Sequence, residues 1–268
     1  MKLMKKMSAM LVASALLLTT AVSCGGKSDK DSDLLASIQE KKKITIAMEG
    51  TWAPWTYHDE NDNLVGFDVE VGQYIADQLG VDAEFKEGEW DGLFAGLDAG
   101  LYDLVINGVD ETPERAEKYD FSEPYAYIHT VLVVGKDNDD IKSFADLKGK
   151  TTANSIGSTY MELGEQYGAK VEGVDSLGET MQMVISGRVD ATLNAEVSVL
   201  DYLKEQPDAP IKIVASTEEA NHVVIPMRKG EASDNLRAAI NEALAKMRED
   251  GTLAQLSEKY FGSDITNE

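Results

Sequence analysis

Residues 103–125, with the sequence DLVINGVDETPERAEKYDFSEPY, carry the pattern that decides the fold. Residues 104–106 are Leu, Val and Ile, and a short apolar run of this kind predicts a buried β-strand. After a polar turn, Thr112 and Pro113 predict the start of a helix, because a threonine hydroxyl caps a free amide and proline needs no amide donor at the first helical position. The stretch therefore predicts a strand–turn–helix unit of an α/β protein.

Arg115 lies in the first turn of this predicted helix, where a positive charge opposes the positive end of the helix dipole. A guanidinium beside free backbone amides suits an anion, and its planar fork matches a carboxylate. The position therefore indicates a binding role. The alternative is a surface arginine paired with Glu114 or Glu117.

The alternation of strands and helices extends over the rest of the chain and restarts near residue 130. Strands are predicted at 43–47, 81–85, 104–106, 131–134, 151–153, 171–174, 189–193, 211–214 and 222–226. Helices are predicted at 68–79, 91–99, 160–167, 180–186, 196–204, 236–248 and 252–260. This rhythm predicts parallel α/β sheets in two lobes with a cleft between them, and ligands bind such sheets in the loops after the carboxyl ends of the strands. Those loops hold Glu49 and Trp52, Trp90, and the group Asn107, Asp110 and Arg115.

Composition limits the classes of function. The 268 residues carry a formal charge of -23, which argues against nucleic acid and against broad docking on anionic lipid. The three histidines, His58, His129 and His222, are scattered along the chain, and the only cysteine is Cys24. Neither a Ser-His-Asp order nor a metal-ligand cluster is readable, so the sequence predicts no metal and no cofactor.

The N-terminus predicts a membrane anchor. Three lysines precede an apolar run at residues 10–18 that is too short to span a bilayer, and small residues lead up to Cys24. This resembles a bacterial lipoprotein signal, with residues 1–23 removed and a lipid on the sulfur of Cys24. The alternative is an ordinary secretory peptide with a free thiol. Residues 24–40 are expected to be a flexible tether, because the stretch after the cysteine is polar.

Several segments of the chain resemble the bacterial extracellular solute-binding proteins of family 3, the amino-acid receptors of ABC importers. They occur in the family's order over essentially the whole mature chain: Gly66-Phe67-Asp68-Val69-Glu70-Val71, Trp90-Asp91-Gly92-Leu93, Thr112-Pro113-Glu114-Arg115, Asp120-Phe121-Ser122-Glu123-Pro124-Tyr125, Asp146-Leu147-Lys148-Gly149-Lys150, Gly187-Arg188-Val189-Asp190-Ala191, Asp250-Gly251-Thr252 and Lys259-Tyr260-Phe261-Gly262.

The resemblance implies a fold like that of the type II periplasmic binding proteins, in which two α/β lobes are joined by two crossover strands and the ligand lies in the cleft. Lobe 1 would comprise residues 41–128 and 224–268, and lobe 2 residues 129–223.

The resemblance also implies the site. Arg115 of the Thr-x-x-Arg motif would hold the α-carboxylate of the ligand, and Trp52 would pack on the ligand side chain. Further contacts would come from Asn107, Gly108, Asp110 and Thr112 in lobe 1 and from Ser158 and Thr159 in lobe 2. Trp90 is interpreted as a core residue rather than a contact, although its loop keeps it a candidate.

One position departs from the family pattern. Where an aspartate commonly binds the ligand ammonium, this chain has Ala195, between Asn194 and Glu196. A buried ammonium without a counter-charge is costly, so another acid must take the role if the ligand is an amino acid. The candidates are Asp110, Glu196 and Glu49. We favour Asp110, because it lies five residues from Arg115 on the same loop.

The leading functional hypothesis is a monomeric, lipid-anchored receptor outside the cytoplasm. It would capture a polar amino acid, with a lean towards cystine, and deliver it to an ABC permease and ATPase. One alternative is an enzyme resembling periplasmic dehydratases of the cyclohexadienyl type, with Glu196 as general acid. Another is a ligand sensor acting through a partner protein.

Overall fold

The computed structural model describes residues 33–268, which form a mixed α/β structure of two lobes. The first segment of lobe 1 contains α1 (Leu34–Lys41), β1 (Lys43–Met48), β2 (Thr51–Trp52), β3 (Thr56–His58), β4 (Leu64–Val65), α2 (Phe67–Leu79), β5 (Asp82–Glu87), α3 (Trp90–Asp98), β6 (Leu104–Val105), β7 (Val109–Asp110), α4 (Pro113–Lys118), β8 (Tyr119–Phe121) and β9 (Ala126–Ile128). Its central sheet has the order β5-β1-β6, with both pairs parallel, as the alternating pattern predicts.

Lobe 2 contains β10 (Thr130–Gly135), β11 (Thr151–Asn154), α5 (Thr159–Gln166), β12 (Lys170–Gly173), α6 (Leu177–Ile185), β13 (Ala191–Ala195), α7 (Glu196–Glu205) and β14 (Ile211–Ser216), with a 3₁₀ helix at Phe144–Leu147. Its sheet has the order β12-β11-β13-β10-β14. The prediction of a parallel sheet is wrong here, because β10, the strand that enters the lobe, runs antiparallel to both of its neighbours, β13 and β14.

The chain returns to lobe 1 through β15 (Asn221–Val224) and β16 (Pro226–Arg228) and ends with a 3₁₀ helix (Glu231–Ser233), α8 (Asp234–Glu249) and α9 (Thr252–Phe261). The small antiparallel sheet β7-β15-β9 joins the first and last segments of lobe 1. The two crossing segments also bond to each other, because the amide of Thr130 donates to Oγ1 of Thr217 at 3.1 Å and the amide of Thr217 donates to the carbonyl of Thr130 at 2.9 Å. The predicted boundary between 223 and 224 falls inside β15 and stays a prediction.

Strand β10 shows how the side chains are sorted between cores. Successive residues point to opposite faces of a sheet. Leu132 and Val134 accordingly pack in the large apolar cluster that includes β1 and α2, whereas Val131 and Val133 pack in a second cluster against α6. All four side chains are fully buried. The strand that leads out of lobe 1 is therefore anchored on both faces.

The N-terminal part of the described chain corrects the predicted tether. Residues 34–41 form helix α1 rather than a flexible segment, because Asp33 caps the helix with a bond from the amide of Ala36 and Ile38 is buried at 1% exposure. The predicted signal peptide and the predicted lipidation of Cys24 lie outside the described residues. Among residues 33–268, no helix combines the length and the apolar character that a membrane crossing requires.

Candidate ligand-binding cleft

A cleft of ≈ 480 Å³ lies between the lobes. Lobe 1 lines it from the loops after β1, β5 and β6, and lobe 2 lines it from the loops before α5 and α6 and from the end of β13. The lining residues are Glu49, Thr51, Trp52, Trp90, Gly108, Asp110, Arg115, Ser155, Ser158, Thr159, Tyr160, Ser176, Leu177 and Asn194.

Arg115 is fixed at one wall of the cleft. Thr112 caps α4 by accepting the amide of Arg115 at 3.1 Å, which places the arginine in the first turn as the sequence predicts. The guanidinium donates to the carbonyl of Asp110 at 2.8 Å and, across the lobes, to the carbonyl of Gly157 at 3.3 Å. It also stacks on Trp90, with 5.4 Å from its Cζ to the ring centroid. Burial lowers the pKa of Arg115, but an arginine keeps its charge in a protein, so the wall is cationic.

Asp110 lies beside this cation on β7 and is 4% exposed. Its Oδ2 accepts the Thr159 hydroxyl at 2.5 Å and the Asn221 amide at 3.2 Å. Its Oδ1 is buried and has no hydrogen-bond partner among the described residues. Burial raises the pKa of Asp110 to about 6, against the opposing effects of the Thr159 hydroxyl and the nearby Arg115. A buried carboxylate oxygen is normally hydrogen-bonded, and a cationic donor at Oδ1 would stabilise the ionised form of Asp110.

Glu49 is a second carboxyl in the cleft, at the end of β1. Its amide donates to Oδ1 of Asn107 at 2.8 Å, and its Oε2 accepts Nδ2 of Asn107 at 2.6 Å. Burial raises the pKa of Glu49 to about 7. Asn107 itself is fully buried and does not line the cleft, so it positions Glu49 rather than facing a ligand.

Gly108 brings the backbone against the aromatic floor of the cleft. Its φ is +53°, and a Cβ at this position would lie 2.6 Å from Cζ3 of Trp52. Only glycine fits such a contact in the left-handed region. The amide of Gly108 donates to the fully buried Asp68 at 2.6 Å, which ties the loop to the first turn of α2. The Gly-Phe-Asp segment thus holds the loop that precedes Arg115.

Lobe 2 contributes mainly hydroxyls. Ser158 caps α5 by accepting the amide of Met161 at 3.1 Å, and Thr159 begins the helix and bonds Asp110. Asn194 accepts the indole Nε1 of Trp52 at 3.3 Å. The bonds of Thr159 and Asn194 cross between the lobes, so the lobes are in contact at the cleft.

Most of the candidate residues meet in this cleft, and three do not line it. Asn107 lies beneath it, Thr112 caps α4, and Glu196 begins α7 with its amide bonded to the carbonyl of His129. Among the three acids considered for the ammonium, only Asp110 and Glu49 face the cavity. Trp90 packs on Phe94 at the edge of a small core cluster and also lines the cavity.

Sequence reasoning missed five lining residues, namely Thr51, Ser155, Tyr160, Ser176 and Leu177. Ser155 follows β11 and Ser176 follows β12, both at carboxyl ends of parallel strands. The rule that located the lobe 1 loops could therefore have found these two. Leu177 and Tyr160 carry no such signal, because apolar and aromatic residues in a first helical turn are more often part of the core.

The structure has two α/β lobes joined by two crossing segments, and a cation and two carboxyls line the cleft between them. This arrangement is typical of a solute-binding protein. The comparisons with known proteins agree. Residues 44–263 match the family model of the bacterial extracellular solute-binding proteins, family 3, and the chain belongs to that family. The family is extracellular, so the chain acts outside the cytoplasm.

Individual relatives give the same class. The chain is 45% identical over 251 residues to the L-cystine-binding protein TcyA of Bacillus subtilis, covering 91% of this chain and 92% of TcyA. A solved ancestral arginine-binding protein bound to arginine matches with a TM-score of 0.77 at 40% identity, covering 82% of this chain and 99% of that one. Since the relatives are binding proteins of transporters, the chain is a solute-binding protein and not an enzyme.

A third comparison bears on the arrangement of the lobes. The L-cystine solute receptor of Neisseria gonorrhoeae, in its unliganded open conformation, is 43% identical and covers 87% of this chain and 99% of its own, yet its TM-score is only 0.59. The arginine-bound structure scores higher at lower identity. In this structure the lobes are joined across the cleft by the bonds from Thr159 to Asp110, from Trp52 to Asn194 and from Arg115 to Gly157.

Proposed function

We propose that this protein captures a polar amino acid in the cleft and passes it to an ABC permease, with L-cystine as the leading ligand. The observation that carries the proposal is that the Arg115 guanidinium and Asp110, whose Oδ1 has no partner among the described residues, line one cleft. A zwitterion has complementary groups, since its carboxylate suits the guanidinium and its ammonium suits the buried carboxylate. One loop, residues 107–115, would then hold both ends of the amino acid.

Two features support cystine over a smaller amino acid. The relative with 45% identity is an L-cystine-binding protein, and the cleft holds a second carboxyl, Glu49. Cystine carries two ammonium groups, and a second carboxyl can take the second one. Trp52 would pack on the ligand's apolar middle, whereas the hydroxyl protons of Ser158 and Thr159 are already donated to the carbonyl of Ser155 and to Asp110.

A second candidate is a basic amino acid, favoured by the charges of the cleft. Among the described lining residues there are two carboxyls and one guanidinium. A ligand with one carboxylate and two cationic groups would balance that set, and one solved neighbour is bound to arginine. Cystine and arginine differ in their second carboxylate, so a direct comparison of the two ligands separates the candidates.

The mechanism we propose is capture by closure. Ligand binds in the opened cleft, and closing the lobes removes water and strengthens the charge-assisted bonds at Arg115 and Asp110. The protein acts as a monomer, held at the membrane by a lipid on Cys24 with residues 1–23 removed.

The test is a thermal-shift screen of the twenty amino acids and L-cystine, followed by calorimetry on the ligands that raise the melting temperature, because a bound ligand stabilises the folded state by mass action. We expect the largest shift with cystine, and loss of binding in Arg115→Ala. No shift with any of the compounds would contradict the amino-acid assignment. A membrane-fraction assay of wild type and Cys24→Ala tests the anchor.

A further inference from the structure

A second pair of side chains crosses between the lobes outside the cleft lining. Trp55, in the turn between β2 and β3, donates its indole Nε1 to Oγ of Ser198 on α7 at 3.1 Å. Trp55 is 0% exposed and Ser198 is 1% exposed. Neither residue is among those that line the cleft. The bond therefore joins the lobes without a direct route to the ligand.

Lobe 1 fixes the direction of the Trp55 indole. The ring stacks on Trp52 with 5.5 Å between centroids and 17° between planes, and it packs on Phe67 and Phe261 at 5.8 and 4.8 Å. Trp52 is itself held to lobe 2 through Asn194. Each of the two stacked indoles thus donates to lobe 2, Trp52 to Asn194 and Trp55 to Ser198, but only Trp52 lies at the cleft.

The energetics of this bond depend on the separation of the lobes. When the lobes move apart, water can satisfy both the indole N–H and the serine hydroxyl. When they meet, both groups are buried, and the bond between them prevents the penalty of an unsatisfied donor. Removing only the acceptor leaves the N–H buried and unsatisfied in the closed arrangement alone. The change therefore shifts the equilibrium towards the open arrangement, with little effect within either lobe.

We propose that Trp55 and Ser198 form a closure latch, a pair of positioning residues that sets ligand affinity by stabilising the closed arrangement without touching the ligand. This inference rests on the proposed capture by lobe closure. A ligand that binds only the closed form loses affinity in proportion to the fall in the closed population. The latch should therefore control how fast ligand leaves more than how fast it arrives, because the bond forms only after the lobes meet.

The test is a double-mutant cycle read by calorimetry, stopped-flow dissociation and small-angle X-ray scattering on full-length protein, with the strongest ligand from the thermal-shift screen. Ser198→Ala should weaken affinity about tenfold, as expected for one buried donor left unsatisfied. Its dissociation rate should rise, its association rate should stay unchanged, and scattering should show a larger open population. In a Trp55→Phe background the same Ser198→Ala change should have almost no effect, because no indole N–H remains to be stranded.

The control is Ser186→Ala, which removes a lobe 2 hydroxyl that bonds only within its own helix region, to the carbonyl of Met183 at 3.2 Å. It should keep wild-type affinity. Wild-type affinity and dissociation in Ser198→Ala would overturn the latch, as would an equal loss from Ser198→Ala in both backgrounds. If the wild-type protein binds no amino acid, the proposed function fails instead, and scattering of the unliganded variants still decides whether the pair biases closure.

Discussion

Replacing Asp110 with asparagine should change ligand affinity and unliganded stability in opposite directions. The substitution keeps the shape of the side chain but removes the charge that we assign to the ligand ammonium. The partner-free Oδ1 would become an amide N–H₂ or a neutral carbonyl oxygen, and the ammonium would be buried without its counter-charge. Breaking a buried pair in this way costs about 3 kcal/mol, which is roughly a 150-fold loss of affinity by calorimetry.

The stability change follows from the pKa of Asp110. Burial raises this pKa from 3.8 to about 6, so the ionised carboxyl destabilises the unliganded protein by about 3 kcal/mol at pH 8. Asparagine avoids that cost and can keep its oxygen at the Oδ2 position that accepts from Thr159 and Asn221, but its amide N–H₂ then takes the place of the partner-free Oδ1, and a buried donor without an acceptor costs about 1 kcal/mol. The variant should therefore be more stable than the wild type by about 2 kcal/mol at pH 8.

The pH dependence has a definite sign. Because the folded-state pKa lies above the unfolded value, the stability linked to this carboxyl is full below pH 3.8 and is lost as the pH rises through 6. In urea titrations, the advantage of the variant should therefore grow between pH 5 and pH 8. Ligand affinity of the wild type should fall as the pH drops below about 6, because binding of an ammonium then requires loss of a proton.

Glu196→Gln is the matched control, since it neutralises an acid of the adjacent lobe that does not line the cleft. It should leave affinity within about twofold of wild type, as expected for a surface substitution. A greater loss in Glu196→Gln than in Asp110→Asn would move the ammonium site to lobe 2. Unchanged affinity in Asp110→Asn would refute the assignment altogether.

Three further predictions concern the rest of the cleft. Arg115→Lys keeps the charge but loses the planar fork, and we expect about 30-fold weaker binding by calorimetry; wild-type affinity would show that the ligand carboxylate makes a single point contact. Gly108→Ala should destabilise the protein and weaken binding, because the added Cβ meets Trp52 at 2.6 Å. Gly149→Ala is the control for the cost of a positive φ alone, because its φ is +77° and nothing lies within 4 Å of the added Cβ. Urea titration gives the free energy of unfolding of both variants, and an equal loss in the two would contradict a clash with Trp52. Glu49→Gln should weaken binding of cystine or arginine and spare ligands with a single ammonium, and an equal loss for all ligands would assign Glu49 a structural role.

The sequence predicted the positions of the main elements because local signals coincide with tertiary ones. The cap at Thr112, the proline at position 113 and the apolar run before them give α4 and β6 without knowledge of packing. What could not be predicted depends on contacts distant in sequence. The antiparallel direction of β10 follows from the path between the lobes, and α1 forms because Ile38 is buried in the core of lobe 1.

The sequence predicts the lobe 1 wall of the cleft better than the lobe 2 wall. Lobe 1 carries charged and aromatic residues in loops after strands, and these types are distinctive enough to be singled out. Lobe 2 lines the cleft mostly with serine, threonine, tyrosine and leucine, which are common in caps and cores, so the places of Tyr160 and Leu177 appear only when the lobes are placed together. The roles of Asn107 and Asp68 are also visible only in three dimensions, because each acts on the site through a neighbour.

The carboxylate that we assign to the ligand ammonium lies in lobe 1 rather than in lobe 2. With Ala195 fully buried at the end of β13, lobe 2 offers no carboxylate there, and Asp110 supplies one from lobe 1. Asp110 also lies on the strand that pairs with β15 and bonds both Thr159 of lobe 2 and Asn221 of the returning segment. A ligand ammonium at Asp110 would favour the ionised carboxyl, and that charge would strengthen the bond from Thr159. Ligand recognition and contact between the lobes would then share one carboxylate, so an acid on the lobe 1 side can serve closure as well as binding.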